Sequence, residues 1–178
     1  MRIVQIISIM FSLFAAAWFT IVVHEYSHYL AGRMLNIPKN KLKVQLDDNP
    51  PHVALYDKKW LSPDSENYIP TFRKYRKETY AAWTFIAAGT VGESIVILTL
   101  SLSLIWFNAA TIGLIFLGTS TAILLIYLLV EGFMKLKYSR SYGDFTAMYA
   151  IYPLLTVILL VTILSLRFFG LYQLLSRI

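Results

Sequence analysis

The fold is decided by the stretch IVQIISIMFSLFAAAWFTIVV, residues 3–23, which runs without a break into HEYSHYLAG, residues 24–32. The first of these carries no charged side chain. At the helical rise of about 1.5 Å per residue it covers the roughly 30 Å of a bilayer's hydrocarbon core. A cleaved signal peptide is the competing use of such a run, with Ala15-Ala16-Ala17 as its small-residue site. The n-region has one Arg, the apolar run is long, and its periodic pattern continues past the alanines. The stretch is therefore read as a membrane span, from about Ile3 to Leu35.

Three further spans follow outward from it: about Tyr80 to Phe107, Ala109 to Gly132, and Gly143 to Phe169. Asn108 marks a tight turn between the second and third. Pro153 lies inside the fourth, where a missing backbone donor predicts a kink. The composition agrees, with 57% of the 178 residues hydrophobic and 15% charged, where a soluble domain carries about a quarter charged.

Residues 36–79 are polar and hold five of the six prolines. Within them Lys41–Leu46 alternates polar and apolar side chains, Asp48-Asn49-Pro50-Pro51 signals a turn, and His52–Tyr56 is a second extended run. This predicts a β-hairpin on the membrane surface. Thr71–Tyr80 is basic with interleaved Phe72, Tyr75 and Tyr80, and reads as an interfacial anchor. Lys135–Tyr142 reads as a short basic loop. The expected fold is an all-α membrane protein of about four transmembrane helices, a single membrane-embedded domain over residues 1–178, with a small hairpin appendage after the first helix.

Net charge is +6, and its placement matters more than its size. Thirteen of the 16 Lys and Arg lie at 33–77 and 135–140; Arg2, Arg167 and Arg177 sit near the chain ends. Basic residues that flank apolar spans set membrane orientation rather than bind nucleic acid. Four spans put both termini on one side and both basic connections on the other, so the connections are expected in the cytoplasm and the termini outside. There is no cysteine, which excludes disulfides and thiolate ligands. A transition metal would have to be held by the three histidines and by carboxylates.

His24 and His28 are four residues apart, so on a helix they share one face and two imidazoles can reach one ion. In H-E-x-x-H hydrolases the glutamate beside the first ligand takes a proton from the metal's water, and Glu25 holds that place. A hydrogen-bonded polar cluster between helices is the plainer use of such residues in a membrane. A catalytic zinc needs a third protein ligand. Glu93, Glu131 and Asp144 are the carboxylates at or near membrane depth. Asp144 opens the fourth span on the side where the first ends; its competing use is a helix N-cap. Glu131 is near the basic loop, where pairing with Lys135 is the cheaper explanation. Glu93 is nearer mid-membrane; it would orient a ligand or a water, or bond a neighbouring helix beside a Gly89/Gly92 packing face. Of the three, Asp144 is preferred.

His24-Glu25-Tyr26-Ser27-His28-Tyr29-Leu30-Ala31-Gly32 resembles the active-site helix of the site-2 protease family of intramembrane metalloproteases. Ser141-Tyr142-Gly143-Asp144-Phe145-Thr146-Ala147 is similar to the downstream aspartate motif of that family's small bacterial branch. Ala87-Ala88-Gly89-Thr90-Val91-Gly92-Glu93-Ser94 resembles the small-residue segment between them, with Glu93 in place of the Pro and Asn often found there. The resemblance covers about two thirds of the chain. It implies one zinc ion held by His24, His28 and Asp144, with Glu25 as base. It also implies catalysis facing the cytoplasm and, as substrate, a bilayer-embedded membrane protein with a transmembrane helix, in a bacterial cell membrane. Two other readings stay open: a prenyl-protein-processing type of membrane metalloprotease with Glu as third ligand, and a non-catalytic membrane partner with a relic site.

Overall fold

A computed structural model describes residues 2–63, 65–138 and 143–178. Four of its helices are long and apolar enough to cross a membrane, and a small antiparallel sheet follows the first. The all-α membrane architecture with a β appendage is thus the one the sequence predicts.

Helix α1 (Arg2–Met34) carries the opening apolar run and the two histidines. It ends where Asn36 turns left-handed at φ 60°. Ile37 N then donates to Gly32 O and Asn36 N to Arg33 O, the paired closing bonds of a C-cap in which Asn tolerates the left-handed region. Ile37 is fully buried behind that turn, so the stop also docks the chain that follows.

Strands β1 (Leu42–Gln45) and β2 (His52–Tyr56) form the expected hairpin, with Leu42 opposite Leu55 and Val44 opposite Val53. A third short strand, β3 (Trp60–Leu61), pairs with β2; at two residues it left no periodic signal. Alternation puts Leu42, Val53, Leu55 and Leu61 into one apolar core with Ile37, Phe72 and Phe85. The sheet is therefore bolted to the helices rather than loose on a tether.

Helix α2 (Tyr68–Tyr75) changes the reading of the aromatic-basic stretch. Phe72 is buried against Phe85, with ring centroids 5.1 Å apart. The Tyr68 hydroxyl donates to Val53 O at 2.7 Å and the Tyr75 hydroxyl to Tyr56 O at 3.1 Å. Burial raises the Tyr68 phenol far above its ordinary pKa, which keeps it a donor. Phe72 and Tyr75 are thus cement between sheet and helices, and only Tyr80 is left largely exposed as an anchor.

Helix α3 (Thr79–Ser103) is the central one and packs on α1, α4, α5 and α6. Gly92 lets it approach α1 closely, since a Cβ there would collide with the Ser27 hydroxyl; this is the small-residue contact of membrane helix packing. Turns at 104–108 end on Asn108, at φ 54°. Helix α4 (Ala110–Tyr138) continues through Lys135 and Lys137, so the predicted basic loop is helical to Tyr138. Its remainder, residues 139–142, lies outside the described residues.

The predicted fourth span is two helices, α5 (Gly143–Ile151) and α6 (Pro153–Leu175). Proline tolerates a first helical turn, and its ring pushes the preceding residue out of the α region; Tyr152 sits at φ −138°, ψ 84°. The expected kink is therefore a full break.

Candidate metal centre

The site is built by three elements. α1 presents His24 and His28 on one face, α5 brings Asp144 to them at its N-terminal turn, and α3 passes behind. His24 Nε2 and His28 Nε2 are 3.1 Å apart, and each is 3.0 Å from Asp144 Oδ2. These three residues are the one group of His and carboxylate side chains among the described residues arranged so that they could hold a metal ion. They are the residues singled out as ligands from the sequence.

The outer nitrogens decide the protonation. His28 Nδ1 lies 2.8 Å from Phe85 O, and a carbonyl only accepts, so Nδ1 carries the hydrogen. His24 Nδ1 lies 3.2 Å from Glu93 Oε2. Glu93 is a carboxylate paired through its other oxygen with the Arg167 guanidinium at 2.8 Å, so His24 Nδ1 donates as well. In the neutral imidazoles both Nε2 atoms then present lone pairs to each other and to a carboxylate oxygen. Three such groups facing one point hold together around shared positive charge, either a metal ion or a proton carried on an imidazole. That is the arrangement of metal-bound histidines, whose second nitrogen donates to a carbonyl or carboxylate. The fit is therefore good, on the chemistry of the donor set alone.

Gly89 is what lets α3 pass so close. A Cβ on it would collide with Nε2 of both His28 and His24. Gly143, at φ 79°, plays the matching part on α5, with the Glu131 carboxylate lying where a side chain would be. No family model, no curated protein and no solved structure matches this chain. The reading of the site therefore rests on its own geometry.

A cavity of about 60 Å³ adjoins the cluster, lined by His24, Glu25, Thr90, Glu131 and Asp144, with Pro51 from the hairpin turn on its rim. Glu25 is buried and lines this cavity, outside the ligand cluster. The space of about 60 Å³ is several times the roughly 10–15 Å³ that a single buried water needs.

The other two carboxylates take different posts. Glu131 Oε2 accepts from the backbone N of Thr146 at 3.0 Å. It holds the first turn of α5 and hence Asp144, and makes no ion pair with Lys135 among the described residues. Glu93 fills both uses foreseen for it, as orienter of His24 and as interhelical partner. Its charge is met by Arg167, which is fully buried and also donates to the hydroxyls of Ser94 and Ser120. Arg167 is the residue the sequence misplaces, because it stands near the C-terminus and counts there as a flanking charge. The signal that would have found it is an arginine fourteen residues inside an apolar helix, where a charge needs a partner. Of the aspartate motif, Ser141 and Tyr142 lie outside the described residues.

Proposed function

We propose that this chain is an intramembrane zinc metalloprotease, hydrolysing peptide bonds within or beside the transmembrane segments of membrane proteins. The observation that carries the reading is the convergence of His24, His28 and Asp144 beside a cavity holding Glu25, inside a bundle of membrane-spanning helices. Two imidazoles and one carboxylate, with a fourth position open, suit catalytic zinc. The ligand atoms stand 3.0–3.1 Å apart. A tetrahedron with bonds of about 2.0–2.1 Å has edges of about 3.3 Å.

Zinc bound there would supply a water of lowered pKa and a polarised carbonyl. The chain's own residues do the rest. Glu25 takes a proton from the attacking water and returns it to the leaving amine. Glu93 and the Phe85 carbonyl keep the imidazoles in the ligating tautomer. Glu131 fixes the helix turn that carries Asp144. The bundle walls keep bulk water away, so that hydrolysis is confined to the cavity.

A protease whose third ligand is glutamate fits less well, because Glu93 faces the outer nitrogen of His24 and Glu131 a backbone amide. A relic site fits less well because Glu25 is intact. The basic connections after the first and third spans support an orientation with the site opening to the cytoplasm and the termini outside.

Reconstitution of the purified chain in vesicles with single-span membrane proteins tests the proposal. Stripping metal with a phenanthroline chelator is expected to stop cleavage, and zinc to restore it. Cleavage that persists in metal-free protein would falsify the reading.

A further inference from the structure

An arginine in an apolar membrane helix is a costly placement, and Arg167 is fully buried in α6. Tying helices together does not account for it. Gly170, one turn further along α6, already lets that helix lie close to its neighbours, since a Cβ there would crowd Leu117 of α4 and Leu98 of α3. The Trp83 indole of α3 also donates to Thr156 Oγ1 of α6 at 3.1 Å. Small residues and neutral hydrogen bonds are the ordinary ties between membrane helices, and neither needs a charge.

The guanidinium is instead directed at one carboxylate and its surroundings. Its Nη2 donates to Glu93 Oε1 and to Ser94 Oγ, both at 2.8 Å, and its Nη1 to Ser120 Oγ at 2.6 Å. Ser120 Oγ in turn donates to the same Glu93 Oε1 at 2.6 Å. One oxygen of Glu93 thus receives a donor from α6 and another from α4. The other, Oε2, is left to His24 Nδ1, at 3.2 Å. A planar fork can meet three acceptors at once, where the ammonium of a lysine is a point charge without that geometry.

The two histidines differ in what orients them. His28 Nδ1 is held by a backbone carbonyl, Phe85 O, at 2.8 Å, and the helix fixes that atom. His24 Nδ1 is held by a side chain. The last torsion of a glutamate is broad and nearly two-fold, so its carboxylate does not keep one plane unaided. Anchoring Oε1 from two sides determines where Oε2 stands, and with it the ring of His24. The opposite nitrogen of that ring is the one that faces His28 and Asp144. A continuous line therefore runs from α6 through α3 to a ligating atom on α1. We infer that Arg167 is a positioning residue for the metal centre, holding Glu93 so that His24 turns its Nε2 to the ion. The inference rests on the metal-binding part of the peptidase reading, and its test needs no substrate.

The test compares the parent with Arg167→Met and with the double variant Arg167→Met, Glu93→Gln, each purified as the full chain and stripped of metal. Zinc affinity is measured by competition with a chromogenic chelator, below the melting midpoint of every protein. The visible absorption of the cobalt-loaded proteins reads the ligand geometry, and thermal melting reads stability. Arg167→Met should bind zinc about 10- to 100-fold more weakly, the effect of losing a hydrogen-bonded support of a metal ligand, with an altered cobalt spectrum. The double variant should regain stability but not affinity, because nothing then fixes the side chain at 93. A purely structural Arg167 would move melting alone. A folded Arg167→Met with the parent's zinc affinity and cobalt spectrum therefore overturns the inference. Should Arg167→Met not fold, the double variant decides. Parent affinity there overturns the inference, and weakened affinity in a protein that melts with the parent supports it. A parent that binds no zinc removes the metal-centre reading, and this inference with it. A parent that binds zinc, with both variants equal to it, removes only the inference.

Discussion

Glu25→Gln is expected to lower cleavage of membrane substrates by about 10²- to 10⁴-fold, the usual contribution of a general base, while leaving zinc content and melting temperature at parent values. The two side chains have the same shape, so the buried position tolerates the exchange. Glu25 is outside the ligand cluster, so no ligand bond is lost. What goes is the ability to hold a proton between the water and the leaving amine. Joint measurement of cleavage and zinc separates this outcome from simple loss of the site. Cleavage by Glu25→Gln at the parent rate excludes Glu25 as the base.

Arg167→Met is expected to be the most destabilising single change away from the ligands. Arg167 is fully buried and meets Glu93 at 2.8 Å. A buried pair adds little over an apolar pair, but removal of one partner leaves an uncompensated charge at a cost of about 3–5 kcal/mol. For a chain of this size that lowers the melting temperature by on the order of 10 °C. The double variant Arg167→Met with Glu93→Gln should regain most of the loss, because both charges go and the amide oxygen still accepts from His24 Nδ1. A single variant that melts with the parent, or a double variant no better than the single, contradicts the pairing. The same link would make His24 sensitive to a residue on the far helix, through Glu93.

Much of this was legible in the chain. Spans appear as uninterrupted apolar runs because a helix in lipid must be apolar on every exposed face, and α1, α3 and α4 follow them closely, while the fourth run is divided between α5 and α6. The histidine spacing fixes a shared helical face, so His24 and His28 needed no tertiary information. Asp144 was legible only through topology, since a carboxylate at the start of a helix serves equally well as a cap. What was hidden depends on contacts between distant segments. The role of Arg167 is set by Glu93, seventy-four residues earlier. Glu131 bonds a backbone amide, for which there is no side-chain signal. Phe72 looked like an anchor because amphipathic stretches at a membrane surface and against a protein core have the same pattern. β3 is too short for alternation to show. The break at Tyr152 was foreseen as a kink, because proline marks the position but not how far neighbouring helices let the chain turn.

The central claim is that His24, His28 and Asp144 together hold a zinc ion, and the metal content of the purified protein tests it most directly. Elemental analysis of the parent and of Asp144→Ala, both dialysed against a mild chelator, is the measurement. About one zinc per chain is predicted for the parent, and well below half that for Asp144→Ala, because two imidazoles alone do not make the usual three-ligand site. A parent that binds no zinc, one that holds iron in its place, or an Asp144→Ala variant as fully loaded as the parent would contradict the account.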